Sequence, residues 1–208
     1  MNEPVRRSPL ARSHADLGAV LDREAGWELV SHYGDEAAER GTLLERVALA
    51  DVTARGKIDV RGSLEDALSA AGDVLSARIA DDWAVLLCEP GGEEVLLPKV
   101  GAAAGAGSMV TDATHLFVGF ALAGPELPEA LARLTSWDPA SLAAGEATGA
   151  PIGDVRAVVV RRDLPLPVLE AYVATEFARY AWETVLDAVR RAGGATVGWR
   201  ALRGEGWS

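Results

Sequence analysis

The side chains able to do chemistry are few and scattered. His14, His32 and His115 have neither the i, i+4 spacing of a helical metal pair nor a cysteine partner, so their pattern argues against a metal site. Cys88 closes the apolar run WAVLLC and reads as a core thiol rather than a nucleophile. Asp51 and Asp112 occupy equivalent points of a repeated stretch, which favours a structural turn or cap. Glu93 and Glu94 follow Gly91-Gly92 as a helix would begin, where carboxylates suit the helix dipole and lie on the surface. GAAAGAG, residues 101–107, follows a helix where a phosphate loop should precede one, so it is a loose helix end. Trp27, Tyr33, Trp182 and Trp199 are better read as core and interface anchors than as a ring cage.

The repeat that carries the two aspartates organises the chain. ALADVTARGKIDVRGSLEDAL, residues 48–68, reads as strand, turn, strand and helix start, and MVTDATHLFVGFALAGPELPEAL, residues 109–131, repeats it. Asp51-Thr53 lead to Gly62, and Asp112-Thr114 lead to Gly124, so the Asp-to-Gly gap is eleven positions in one copy and twelve in the other. The period is too long for a solenoid, and one supersecondary unit used twice is the expectation.

The chain of 208 residues is long enough for a sizeable core in one or two lobes. Its formal charge of -11 opposes binding to nucleic acid or an anionic membrane surface through a basic face. One cysteine allows no internal disulfide, which fits a reducing compartment. Without an apolar window of roughly twenty residues, a cytoplasmic protein is expected.

Four regions follow in order. Residues 1–25 form an arm, ordered only by docking, and a short helix over 16–24 with Leu17, Val20 and Leu21 on one face. Residues 26–134 form a first lobe with the duplicated unit, and include a helix capped by Asp35, strands over 76–79 and 83–88, and a helix over 93–104. Residues 135–153, rich in glycine and proline, are a connector. Residues 154–208 form a second lobe, with two strands, a helix from Thr175 striped by Phe177, Ala181, Val185 and Val189, and a stop at Gly193-Gly194. The class is α+β, with duplicated ferredoxin-like strand-helix units and mainly antiparallel sheets.

From Gly26 to Gly62 the run GWELVSHYGDEAAERGTLLERVALADVTARGKIDVRG resembles the opening of the glycine-cleavage T-protein (aminomethyltransferase) superfamily, where a Gly-Trp, a Tyr-Gly, a helix and an Asp-x-Ser/Thr-x-x-Gly-Lys turn occur in this order. VTDATHLFVGFALAGPELPEAL, LAAGEATGAPIGDVRAVVVRRD and EAYVATEFARYAWETVLDAV are more similar to the gamma subunit of heterotetrameric sarcosine oxidase, a short relative of that fold. The resemblance implies a T-protein folate-binding-domain fold with a central hole for tetrahydrofolate. It places Tyr33, Glu170 and Arg200 nearest that hole as the residues to hold the cofactor.

Departures from the family are equally informative. The family's Asn-x-x-Gly-Gly-x-x-Asp-Asp hairpin, whose Asp serves methylene transfer, has no counterpart between Gly62 and the run ADDWAVLLC. CEPGGEEV, residues 88–95, is its only echo, and Glu93 and Glu94, which follow its glycines, are the carboxylates to stand in for the lost acid. Gly-Tyr-Thr-Gly-Glu becomes DLPLPVLEAYV, which keeps Glu170 and Tyr172, and Gly-Ala-Arg-Asp survives loosely around Arg200. The resemblance therefore implies a subunit of a larger oxidoreductase or demethylase complex, with no catalytic residue of its own and tetrahydrofolate as the one admissible cofactor. A stand-alone tetrahydrofolate-dependent aminomethyltransferase or demethylase is the alternative, and a folate-fold scaffold or assembly factor the third.

Overall fold

The computed structural model describes residues 4–162 and 164–206. Chain order begins with β1 (Arg6–Arg7), α1 (Ala11–Asp16), β2 (Val20–Glu24), β3 (Trp27–His32) and α2 (Glu36–Glu45). The first copy of the repeat supplies β4 (Ala48–Asp51), β5 (Gly56–Arg61) and α3 (Glu65–Ala71), followed by β6 (Leu75–Ala80), β7 (Trp83–Cys88) and α4 (Glu93–Ala103). The second supplies β8 (Met109–Asp112), β9 (Phe117–Ala123) and α5 (Leu127–Leu131), followed by β10 (Ala147–Ile152), β11 (Val155–Arg161), β12 (Val168–Ala174) and α6 (Ala178–Arg191). β13 (Ala195–Thr196) and α7 (Trp199–Gly204) end the described chain.

Two ferredoxin-like units result, and they exchange strands. β5, α3, β6, β7 and α4 build the first, in the sheet order β6-β7-β5-β8, whereas β9, α5, β11, β12 and α6 build the second, in the order β10-β11-β12-β9-β4-β13. Each sheet thus takes in the first strand of the other unit's repeat copy: β4 pairs antiparallel with β9, and β8 pairs antiparallel with β5. Seven of the eight strand pairs in the two larger sheets are antiparallel, and among the described residues of these sheets β13 beside β4 is the parallel one. The six-stranded sheet takes β4 and β9 from before residues 135–153 and β11 and β12 from after them, while β10 arises within that stretch.

Alternation along the strands then sets four layers. In β11, Ala157 and Val159 pack toward α5 and α6 while Val158 and Val160 face the other sheet. In β5, Ile58 and Val60 pack under α3 and α4. The layer between the sheets is where Tyr172, Val85 and Leu87 meet, and it also receives the polar side chains described below.

Near the N-terminus the observed elements differ from the expected ones. The helix predicted for residues 16–24 is instead α1 followed by the strand β2, because Ala25 (φ 47) and Gly26 (φ 76) form a two-residue hairpin turn that joins β2 to β3. The described part of the arm docks on the body of its own chain: β1 pairs with β3, and Leu10 and His14 are buried. Residues 1–3 of that arm lie outside the described residues.

Candidate functional site

The two repeat turns cross where the sheets meet, and their hydrogen bonds match. Val52 N donates to Gly119 O at 2.9 Å and Ala113 N to Lys57 O at 2.8 Å. Gly119 N donates to Thr53 Oγ1 at 3.2 Å, and Lys57 N to Thr114 Oγ1 at 3.0 Å. Lys57 and Gly119 are therefore counterparts, but only Lys57 carries a side chain into the intersheet layer. Its Nζ donates to Thr53 O at 2.7 Å, Arg55 O at 2.8 Å and Thr114 O at 3.2 Å, one acceptor for each ammonium proton. Burial pushes the Lys57 amine down to about 7, against the partial support of Asp51, Glu93 and Asp112.

Beside this lysine lies a buried network of opposite charges. Glu170, with 0% exposure, accepts from Arg162 Nη1 at 2.7 Å and from the hydroxyl of Tyr172, and Arg55 Nε approaches it at 3.6 Å. Arg55 is 2% exposed and faces Glu89 at 3.3 Å, while its Nε and Nη2 have no hydrogen-bond partner among the described residues. Burial works to lower Arg55, and Glu170, Tyr172 and Glu89 outweigh it, so its pKa is raised. Burial and the adjoining Glu170 raise the phenol of Tyr172 well above its usual value.

A second chain of polar groups ties the arm to the crossing. His14 Nε2 lies 2.7 Å from Asp51 Oδ2, its Nδ1 lies 2.9 Å from Tyr33 Oη, and its ring meets Trp182 edge-on at 4.9 Å between centroids. Burial works to raise the Asp51 carboxyl, but the hydrogen bond and charge of His14, with Ser8 and Thr53, hold it below the ordinary range. Burial and the charges of Asp51 and Glu39 raise Tyr33. The cavity touching His14, Asp51, Trp27 and Trp199 has about 20 Å³, room for one water. A larger apolar groove of about 390 Å³ runs between α5 and the start of β12, away from these titratable groups.

Glu93 departs from its expected surface position. It is buried at the start of α4, where Arg6 Nη1 donates to its Oε1 at 2.7 Å, while its Oε2 has no hydrogen-bond partner among the described residues. The cause is Gly56: a Cβ there would come within 2.6 Å of Glu93 Oε2 and 2.5 Å of Cys88 Sγ, so the glycine makes room for the carboxylate beneath β5. Glu94 is exposed, as expected. Burial and Glu93 push the Cys88 thiol up to about 11, which leaves it a poor nucleophile at neutral pH. Among the described residues, no group of three His, Cys, Asp or Glu side chains is placed to hold a metal ion.

Tyr33, Glu170 and Arg200 fall into three separate networks. Tyr33 faces His14, Glu170 is enclosed by Arg162, Arg55 and Tyr172, and Arg200 lies on the surface against Glu36 at 2.6 Å and Asp22 at 3.1 Å. Among the described residues, no hydrogen bond or ion pair joins any two of the three. Arg55, Lys57, His14 and the buried Glu93 were not singled out for this layer from sequence. The signals for Lys57 were its place inside an apolar strand next to a glycine and its position as the lysine of the Asp-x-Ser/Thr-x-x-Gly-Lys turn.

Two strand-exchanged ferredoxin-like units around a polar layer make a fold similar to those of solved aminomethyltransferase and sarcosine oxidase chains. Glycine cleavage system aminomethyltransferase T from Bartonella henselae matches over 95% of this chain and 60% of its own, with a TM-score of 0.78 at 20% identity. A chain of heterotetrameric sarcosine oxidase from Corynebacterium sp. U-96, in complex with pyrrole 2-carboxylate, matches over 77% of this chain and 93% of its own, with a TM-score of 0.63 at 19% identity. In sequence, the aminomethyltransferase of Streptomyces coelicolor is 26% identical over 218 aligned positions, 91% of this chain and 59% of the relative. That of Frankia alni is 32% identical over 169 positions, 62% of this chain and 44% of the relative. The chain thus spans about half the length of these curated relatives, and no model of a known protein family matches it. Sequence and fold together support its resemblance to the T-protein superfamily.

Proposed function

We propose that this chain is a T-protein-like, sarcosine-oxidase-gamma-like subunit of a folate-linked amine-demethylating complex, without a catalytic acid of its own. The observation that carries the reading is Glu170. The resemblance offers this carboxylate to a pterin, yet here it is fully buried and engaged by Arg162, Tyr172 and Arg55, so it works as internal structure. The match to a sarcosine oxidase chain over 93% of that chain's length favours a subunit role. Copurification from native extract with an oxidase-type chain is the expected result. A strictly monomeric protein in that extract overturns the proposal.

A second reading is favoured by Glu93, whose Oε2 is buried beside Cys88 and Gly56 without a hydrogen-bond partner among the described residues. In that case the chain is a stand-alone aminomethyltransferase or demethylase using tetrahydrofolate, with the lost acid relocated. It requires tetrahydrofolate to raise the melting temperature, by about 2.7 kcal/mol of added stability at a hundredfold excess over Kd. No shift at millimolar folate rejects it and leaves the scaffold reading.

A further inference from the structure

The internal duplication contains an edge that is covered in one copy and bare in the other. On the outer edge of β4, three alternate carbonyls each receive a donor: Val47 O from Ala195 N at 3.3 Å, Leu49 O from Val197 N at 2.9 Å, and Asp51 O from the Trp199 indole at 3.0 Å. Their counterparts in the second copy, displaced by the same number of positions as Asp51 and Asp112, are Ser108, Val110 and Asp112. β8 ends its sheet, and Ala113 N donating to Lys57 O fixes the alternation that turns the Val110 and Asp112 backbone groups away from β5. Among the described residues, no donor reaches these three carbonyls on that side. Met109 beside them is 58% exposed and pairs across the ladder with Arg61, whose guanidinium stacks on Trp83 at 3.9 Å.

We propose that this edge of β8 is a docking surface for an extended segment of a partner protein, added parallel to β8 as β13 is added to β4. The seated occupant of β4 defines the guest. It presents N–H donors at alternate positions, with small or β-branched residues between them as in Ala195-Thr196-Val197, and a donor-bearing aromatic group two residues on as in Trp199. Asp112 is exposed on this edge and the chain carries a net charge of -11, so the guest is basic at its flanks; the same charge opposes a second copy. A bare edge of this kind is otherwise a hazard for aggregation, and a dedicated guest removes it.

The test titrates the isotopically labelled full chain with a synthetic peptide copying residues 193–202, extended by two N-terminal lysines. Saturable amide shifts at Val110 and Asp112 are expected. Val110→Pro removes an outward N–H that the β5 ladder does not use, so it should abolish the shifts while the melting temperature holds. Should that variant melt early, Thr111→Lys serves instead, placing like charge against the peptide and weakening binding about tenfold or more. No shift at residues 108–112, or binding that survives the working variant, overturns the proposal. A sedimenting dimer that Val110→Pro dissociates also overturns it, by making a second copy the occupant.

Discussion

Asp51 and Asp112 make the same turn in the two halves of the chain: Asp51 Oδ1 accepts from Thr53 N at 2.8 Å, and Asp112 Oδ1 from Thr114 N at 2.9 Å. The halves differ in what the other carboxylate oxygen does. Asp51 is buried and holds His14, whereas Asp112 is exposed. Asp51→Ala should therefore cost about 1–3 kcal/mol, because it strands buried partners, and Asp112→Ala about 0.5–1.5 kcal/mol. The acid limb tells them apart. The folded pKa of Asp51 lies below its ordinary value, so its stabilisation is full above about pH 4 and is lost as pH falls through the folded value. Urea melts between neutral and acid pH should flatten in Asp51→Asn, and an unchanged slope would contradict the assignment.

Lys57 gives a slope of the same sign in a higher pH window, but here burial disfavours the charged form instead of a partner holding it. Its folded value of about 7 lies below the unfolded value near 10.4, so between these limits the unfolded chain binds the proton that the folded chain releases. Stability should rise from pH 7 upward over that window, with the full cost of the buried charge present below it. Lys57→Met should remove this rise. If the wild type shows no alkaline gain, the three carbonyls hold the ammonium more tightly than burial disfavours it.

Gly119 is the place where the second copy cannot follow the first. A Cβ there would meet the Tyr172 ring at 2.7 and 3.0 Å and Val52 at 3.1 Å, all in the packed intersheet layer. Gly119→Ala should cost about 1–3 kcal/mol by overpacking. Chemical denaturation measures it, and a loss under half a kcal/mol would show that the Tyr172 ring moves freely.

Trp182 sits on the buried stripe of α6 at 1% exposure, against Phe120 and His14. Trp182→Ala should cost about 3–5 kcal/mol. Its loss also leaves the His14 ring without its edge contact, so limited proteolysis should cut the arm faster in this variant.

The fold was legible where local pattern and global pairing agreed. The repeat at residues 48–68 and 109–131, the apolar strand WAVLLC and the Gly91-Gly92 helix start all appear as elements, because each is fixed by apolar period and flanking turn residues. The β2–β3 hairpin was hidden, since Ala25 at positive φ is not the residue such turns favour. The strand exchange between copies was hidden too, for pairing partners at long separation leave no local mark. Burial of charge misleads most: Glu93 in α4 reads as solvent-facing and the burial of Lys57 in β5 has no local mark, and only the tertiary packing supplies three carbonyls to Lys57 and Gly56 and Arg6 to Glu93.

The lost catalytic acid makes the last test. Glu93 is buried with one free oxygen, which is what a general acid or base needs, but its other oxygen serves Arg6 of the arm, and Glu94 is out in solvent. Removing a positioned acid or base lowers a rate by about 10² to 10⁴. No such loss is expected. Glu93→Gln should keep turnover within a few-fold and cost about 1 kcal/mol or less, because Arg6 is partly exposed and its pair is screened. Glu94→Gln should change neither. The assay is methylene transfer, or activity of the complex once a partner is isolated, with the variants made separately and together. If the double variant falls a hundredfold in turnover while its melting temperature holds, the chain is the stand-alone transferase and Glu93 its relocated acid.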